Sequence, residues 1–116
     1  MAILHVAPDP FACLYVIEIN RGRDCGRIKV GFTAHPATRL AHHRELALAY
    51  GCTPGREYVS PPGSGSPERE IELIEWCAAR PRITRYRREY FAGLDYTGAA
   101  RKAAKLCCDY TSLLTA

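Results

Sequence analysis

Two stretches of this chain carry the period of a β-strand and three carry the period of a helix. Phe11 to Asn20 is rich in Leu, Tyr, Val and Ile and reads as a strand. Along it Phe11, Cys13, Tyr15, Ile17 and Ile19 point one way and Leu14 and Val16 the other. Both faces are apolar, which predicts a central strand covered on both sides. Arg27 to Phe32 returns as a second strand, with Ile28, Val30 and Phe32 on one face and Arg27, Lys29 and Gly31 on the other. Arg21 to Gly26 reads as the hairpin connection, with Gly22 and Gly26 free to adopt positive φ.

Pro36 suits the first turn of a helix that runs to about Tyr50 and stops at Gly51. Helical phase puts Leu40, Leu46, Ala47 and Tyr50 in its apolar stripe, with Arg39 and His43 inside that stripe. Thr53 to Ser60 offers a short third strand around Tyr58-Val59, followed by a Pro/Gly/Ser loop to Ser66. Ser66 then caps a second helix with Pro67 at its first position. Its stripe is Ile71, Leu73, Ile74, Cys77 and Ala78; Glu70 lies near the stripe's centre, while Glu68, Glu72 and Glu75 face away. Arg80 to Arg88 reads as a basic connector, and Glu89-Tyr90-Phe91 as a short edge strand or anchored loop. Thr97 is expected to cap a last helix reaching about Leu114, packed through Ala100, Ala104, Leu106 and Cys107. The expected fold is α/β: a three-stranded, mainly antiparallel sheet flanked by helices.

With 116 residues the chain has room for one core. Residues 11–95 form the expected domain, and residues 96–116 a C-terminal helix packed on it. No apolar run approaches the roughly 18–20 residues of a membrane span, and MAILHVAPDP lacks the basic n-region of a signal peptide. The expectation is a cytoplasmic protein that does not engage a membrane. Six cysteines without a CxxC are then expected to be reduced and to pack as small hydrophobes; a cysteine-based metal or redox module is the competing reading. The net charge of +4 is mild, but Arg80, Arg82, Arg85, Arg87 and Arg88 crowd one segment. Guanidinium forks match phosphate oxygens, so a phosphate-rich partner is expected.

Separate elements thus offer Tyr15, Lys29, Arg39 with His43, and Glu70. Hydrolysing a phosphodiester requires a deprotonated water, a cation beside the developing charge and a metal on the scissile phosphate. A phenol or an amine can take the proton, Arg can clamp phosphate, and one carboxylate can hold a Mg²⁺ that keeps most of its waters. The set is chemically complete for that task.

Cys13-Leu14-Tyr15 followed by Lys29-Val30-Gly31 resembles the paired strand motifs of the GIY-YIG nuclease superfamily. Arg39, eight residues after Gly31 and followed by Leu40, stands at that family's catalytic arginine, and His43 at a histidine found in some homing-endonuclease members. Glu70 in EREIELI fits the metal-binding glutamate best, with Glu72 as second choice. KVGFT and the later EYF are similar to a phage and bacterial branch with Lys-Ile-Gly-x-Thr as second motif. The resemblance spans residues 11–95 and departs at Cys13, at Lys29 in place of the motif tyrosine, and at a late Asn that has no counterpart. It implies a metal-dependent DNA endonuclease of low intrinsic sequence specificity, using Mg²⁺ or Mn²⁺ on Glu70. Tyr15 would be the base, Arg39 the phosphate clamp, and Lys29 and His43 assistants. Arg27, Arg44, Arg80, Arg82, Arg85, Arg87 and Arg88 would contact the nucleic acid, with a protein partner or a homodimer directing cleavage. A catalytically inactive nucleic-acid-binding domain of the same fold is the alternative.

Overall fold

A computed structural model describes residues 9–21, 24–86 and 89–111. Strands β1 (Cys13–Arg21) and β2 (Asp24–Thr33) are followed by helix α1 (Pro36–Ala49), strand β3 (Thr53–Val59) and helix α2 (Pro67–Ala78). Strands β4 (Thr84–Tyr86) and β5 (Tyr90–Ala92) and helix α3 (Tyr96–Leu106) complete the order. The sheet has five strands, not three, in the order β3-β1-β2-β5-β4, and every pairing is antiparallel. Of the two additional strands, β4 comes from the segment read as a basic connector and β5 from the stretch read as a short edge strand or anchored loop. They pair with each other, and β5 adds to the far edge of β2. Three-residue strands such as Thr-Arg-Tyr are too short to show a two-residue period. The β1–β2 connection is also tighter than Arg21–Gly26, because pairing extends to Arg21 opposite Asp24; Gly22 lies outside the described residues.

The alternation along β1 divides the molecule into layers. Leu14 and Val16, with Ile28 and Val30 of β2, pack against Leu73, Ile74 and Cys77 of α2 and Ala99 and Ala103 of α3. Tyr15 and Ile17 face the other way, onto Leu40 of α1. Cys77 and Cys107 are buried as small core residues, and burial pushes the Cys77 thiol up to about 12, so it stays protonated and apolar.

Helix ends show where local chemistry won. Ser66 caps α2, its hydroxyl accepting from Arg69 N, with Pro67 at the first position. Asp95, not Thr97, caps α3: its carboxylate accepts from Gly98 N at 2.8 Å. The helix ends at Leu106 rather than near Leu114, because Cys108 turns into the left-handed region at φ 53. The buried face of α3 is Ala99, Ala103 and Ala104, one residue displaced from the expected Ala100. In α1 the buried line is Leu40, His43 and Ala47. Arg39, Leu46 and Tyr50, all placed in the stripe by sequence phase, are exposed instead; the sheet covers only a narrow strip of this helix.

The loop from Ser60 to Ser66 anchors the start of β1. Ser60, buried at the end of β3, donates its N–H to the Leu14 carbonyl at 2.9 Å and accepts from Leu14 N on its hydroxyl at 2.8 Å. Gly63 N and Gly65 N both donate to the Ala12 carbonyl. Position 65 has to be glycine, since a Cβ there would stand 2.5 Å from the Cys13 backbone. Ser60→Ala leaves the buried Leu14 N–H without its acceptor and is expected to cost about 1–3 kcal/mol, read as a lower urea midpoint with unchanged slope.

Candidate functional site

The β1–β2 register sets Tyr15 opposite Gly31 and Ile17 opposite Lys29, all on the α1 side of the sheet. Tyr15 lays its ring across the bare backbone of Gly31: a Cβ at that position would lie 2.5 Å from Tyr15 Oη and 2.6 Å from Cζ. Its hydroxyl is then 3.2 Å from His43 Nε2, supplied by the buried line of α1. The two rings are tilted by 41° with centroids 5.7 Å apart.

Lys29 comes next along the same face and is only 4 % exposed. Its ammonium donates to the Val30 carbonyl at 3.1 Å and forms an ion pair with Glu89. It also stands 5.4 Å from the ring centroids of both Tyr15 and Tyr90, within cation–π range. Glu89 is the counter-charge of Lys29. The chain offered no signal for that, because the contact depends on β5 pairing with β2 in the register Lys29 opposite Tyr90.

His43 is pushed down to about 4, first by burial and then by the charges of Lys29, Arg39 and His42, with Glu89 opposing. Near neutral pH it is an uncharged imidazole and hydrogen-bonds Tyr15 as such. Arg39 is exposed on the first turn of α1, close enough to act on His43 through its charge. Glu70 stands on α2, in the opposite layer. It is half-buried, and its Oε2 accepts from Phe32 N at 3.0 Å, one residue beyond Gly31. Val30 N donates to the Glu89 carbonyl on the same edge of β2. The structure therefore brings His43 and Lys29 to Tyr15, with Arg39 near enough to act on His43 through its charge, while the contact of Glu70 is to the Phe32 amide.

The arginines expected to touch nucleic acid are dispersed. Arg44 forms a two-bonded pair with Glu57 of β3 at 2.7 and 3.0 Å. Arg80 stacks on Trp76 at 4.4 Å. Arg82 is exposed, and Arg85 is exposed with its guanidinium 5.9 Å from the Phe91 ring centroid. Arg87 and Arg88 lie outside the described residues. Arg27 lines a cleft of about 360 Å³ that opens between α1 and the sheet, together with His43, Leu46, Tyr50, Cys52 and Tyr90. Sequence reasoning did not single out that cleft, whose walls come from residues far apart in the chain.

Searches against protein-family models, curated proteins and solved structures found no significant match to this chain. No helix among the described residues is long and apolar enough to cross a membrane.

Gly31→Ala is expected to drive the Tyr15 ring off β2, break its bond to His43 and destabilise the fold by about 1–3 kcal/mol; thermal unfolding measures the loss. His43 also gives the protein an acid limb. Its folded-state value lies below the ordinary 6.5, so below pH 6.5 the unfolded chain takes up a proton that the folded chain refuses. That contribution is complete above about pH 6.5 and is lost as pH falls toward 4. The His43 ring-proton resonances should stay at their neutral positions from pH 8 to 5, whereas a titration midpoint near 6.5 would contradict the buried environment.

Proposed function

We propose that this chain is a metal-dependent DNA endonuclease of the GIY-YIG type, hydrolysing phosphodiester bonds. The observation that carries the reading is the Tyr15 hydroxyl held by an uncharged His43 and flanked by the Lys29 ammonium. The paired motifs that prompted the resemblance stand on adjacent antiparallel strands with Tyr15 opposite Gly31, and that pairing supports the same reading.

In this mechanism Tyr15 enters the step as its phenolate beside the Lys29 ammonium. Oη takes one proton of the attacking water and becomes the phenol, the hydroxide oxygen bonds to phosphorus, and the leaving oxygen departs with the electrons of the broken P–O bond. His43 is too weak a base near neutral pH to store that proton, so its part is to hold Oη in position. An ammonium has three N–H donors. Among the described residues Lys29 spends two of them, on the Val30 carbonyl and Glu89, leaving the third for the water or a phosphate oxygen. Arg39, exposed beside the site, is free to swing onto the scissile phosphate. An arriving phosphate offsets the Lys29 and Arg39 charges that act on His43, and so ties substrate binding to the state of the imidazole.

Among the described residues no cluster of three or more His, Cys, Asp or Glu side chains is placed to hold a metal ion. Glu70 alone fits a Mg²⁺ or Mn²⁺ ion that keeps most of its waters, in the manner of magnesium sites with one or two carboxylates. When bound there, the ion would supply Lewis-acid stabilisation of the phosphate and the leaving oxygen. The remaining arginines would add affinity without sequence information, since phosphate contacts position a protein and base contacts specify it; a partner or a second copy would then direct cleavage.

One observation favours a second reading, a nucleic-acid-binding domain without catalysis. Glu89 already neutralises Lys29, which is what a purely structural lysine would show. Nicking of supercoiled plasmid with Mg²⁺ against EDTA separates the two. Tyr15→Phe keeps the ring and is expected to lower the rate about 10²–10⁴-fold, and Glu70→Ala to abolish the metal dependence. DNA binding without any nicking by the wild type selects the second reading; nicking by Glu70→Ala at the wild-type rate removes Glu70 from the site.

A further inference from the structure

We infer that the cleft beside His43 receives a single unpaired nucleobase, so that the preferred substrate is DNA with an extruded or unstacked nucleotide next to the scissile phosphate. The inference rests on the nuclease reading for the position of the chemistry, but the cleft has its own geometry. Its volume of about 360 Å³ sits at the small end of ligand clefts and has room for one base with its sugar. Its floor is apolar, from Ile19, Leu46 and Ala47, and two tyrosines stand at its walls. Tyr90 is half-buried on β5, whereas Tyr50 at the C-terminal end of α1 is 79 % exposed. An aromatic ring carried in solvent at the mouth of an apolar cleft offers a stacking face, and bases of any identity stack on such rings.

Charge selects the class of ligand. Arg27 lines the cleft, and Lys29 and Arg39 lie just past His43. That setting suits an aromatic group carrying an anion better than a neutral apolar side chain. His43 is the shared wall: one imidazole lines the cleft and holds the Tyr15 hydroxyl. A base seated there would bring its own phosphate toward Tyr15 and Lys29. A base within a duplex cannot reach a recess between a helix and a sheet without leaving its stack, and leaving is easiest where it is mismatched or unpaired.

The test uses two labelled duplexes of equal length, one fully paired and one with a central unpaired 2-aminopurine, bound to the full chain in EDTA at fixed salt. The expected result is an affinity about tenfold higher for the unpaired probe, with quenching of 2-aminopurine fluorescence on binding. Tyr50→Ala, at an exposed position where folding is not at stake, should remove both the preference and the quenching. Equal affinities for the two probes, absence of quenching, or a Tyr50→Ala protein that keeps both signals would each overturn the inference. The plasmid assay reads the nuclease separately. Nicking without preference leaves the nuclease and removes the pocket, and preference with quenching but no nicking leaves the pocket and removes the nuclease.

Discussion

The register of β1 on β2 is the constraint on which this site depends. It places the Tyr15 ring over Gly31, which has no side chain to displace it. A slip by a single residue would turn Tyr15 into the layer of α2 and α3 and send Leu14 or Val16 toward α1. Burial on both faces forbids that slip, since each strand carries its own apolar set to each layer. The Ser60 bonds at the end of β3 and the loop amides on Ala12 hold the same strand at its start. What looks like core packing and what looks like a functional arrangement are here one set of contacts.

Lys29 introduces a second constraint of a different kind. A nearly buried ammonium needs a counter-charge, and removing one member of such a pair typically costs about 3–5 kcal/mol. The counter-charge comes from Glu89, immediately before β5. The small β4–β5 hairpin therefore widens the sheet and also makes a lysine tolerable at a position that otherwise faces aromatic and aliphatic neighbours. Tyr90, paired opposite Lys29, covers the other side of the ammonium.

The legible parts of the chain were those governed by local rules. Alternation along residues 11–20 and 27–32 placed both central strands and sorted their faces correctly, because each strand is long enough to repeat its period several times. Pro36, Gly51, Ser66 and Pro67 marked helix ends through backbone geometry that needs no tertiary partner. Phase along α1 was less informative. Leu46 and Tyr50 are apolar yet exposed, so hydrophobicity pointed about one residue away from the line that meets the sheet. Phase placed both His43 and Arg39 in the inward stripe; His43 is buried there and Arg39 is exposed. Glu89-Tyr90-Phe91 was legible as a short strand or loop, but the contacts of Glu89 and Tyr90 with Lys29 were not, because they come from that strand docking on β2. Tyr15, Lys29 and Glu70 could be nominated from motif and phase, but their contacts with His43, Glu89 and the Phe32 amide belong to the folded structure alone.

The bond from the Phe32 amide to Glu70 has a consequence for colloidal behaviour. β5 pairs with β2 only from Arg27 to Lys29, so the outer margin of β2 beyond Val30 would otherwise present a bare amide to solvent. Unpaired strand margins invite the backbone of another chain to add on, and proteins commonly blunt them with a charge. Glu70 does so with a carboxylate seated directly on the exposed N–H. Whatever draws that carboxylate away also unlatches a stretch of sheet, so occupancy at Glu70 and the tendency of two molecules to zip together are linked through one oxygen atom.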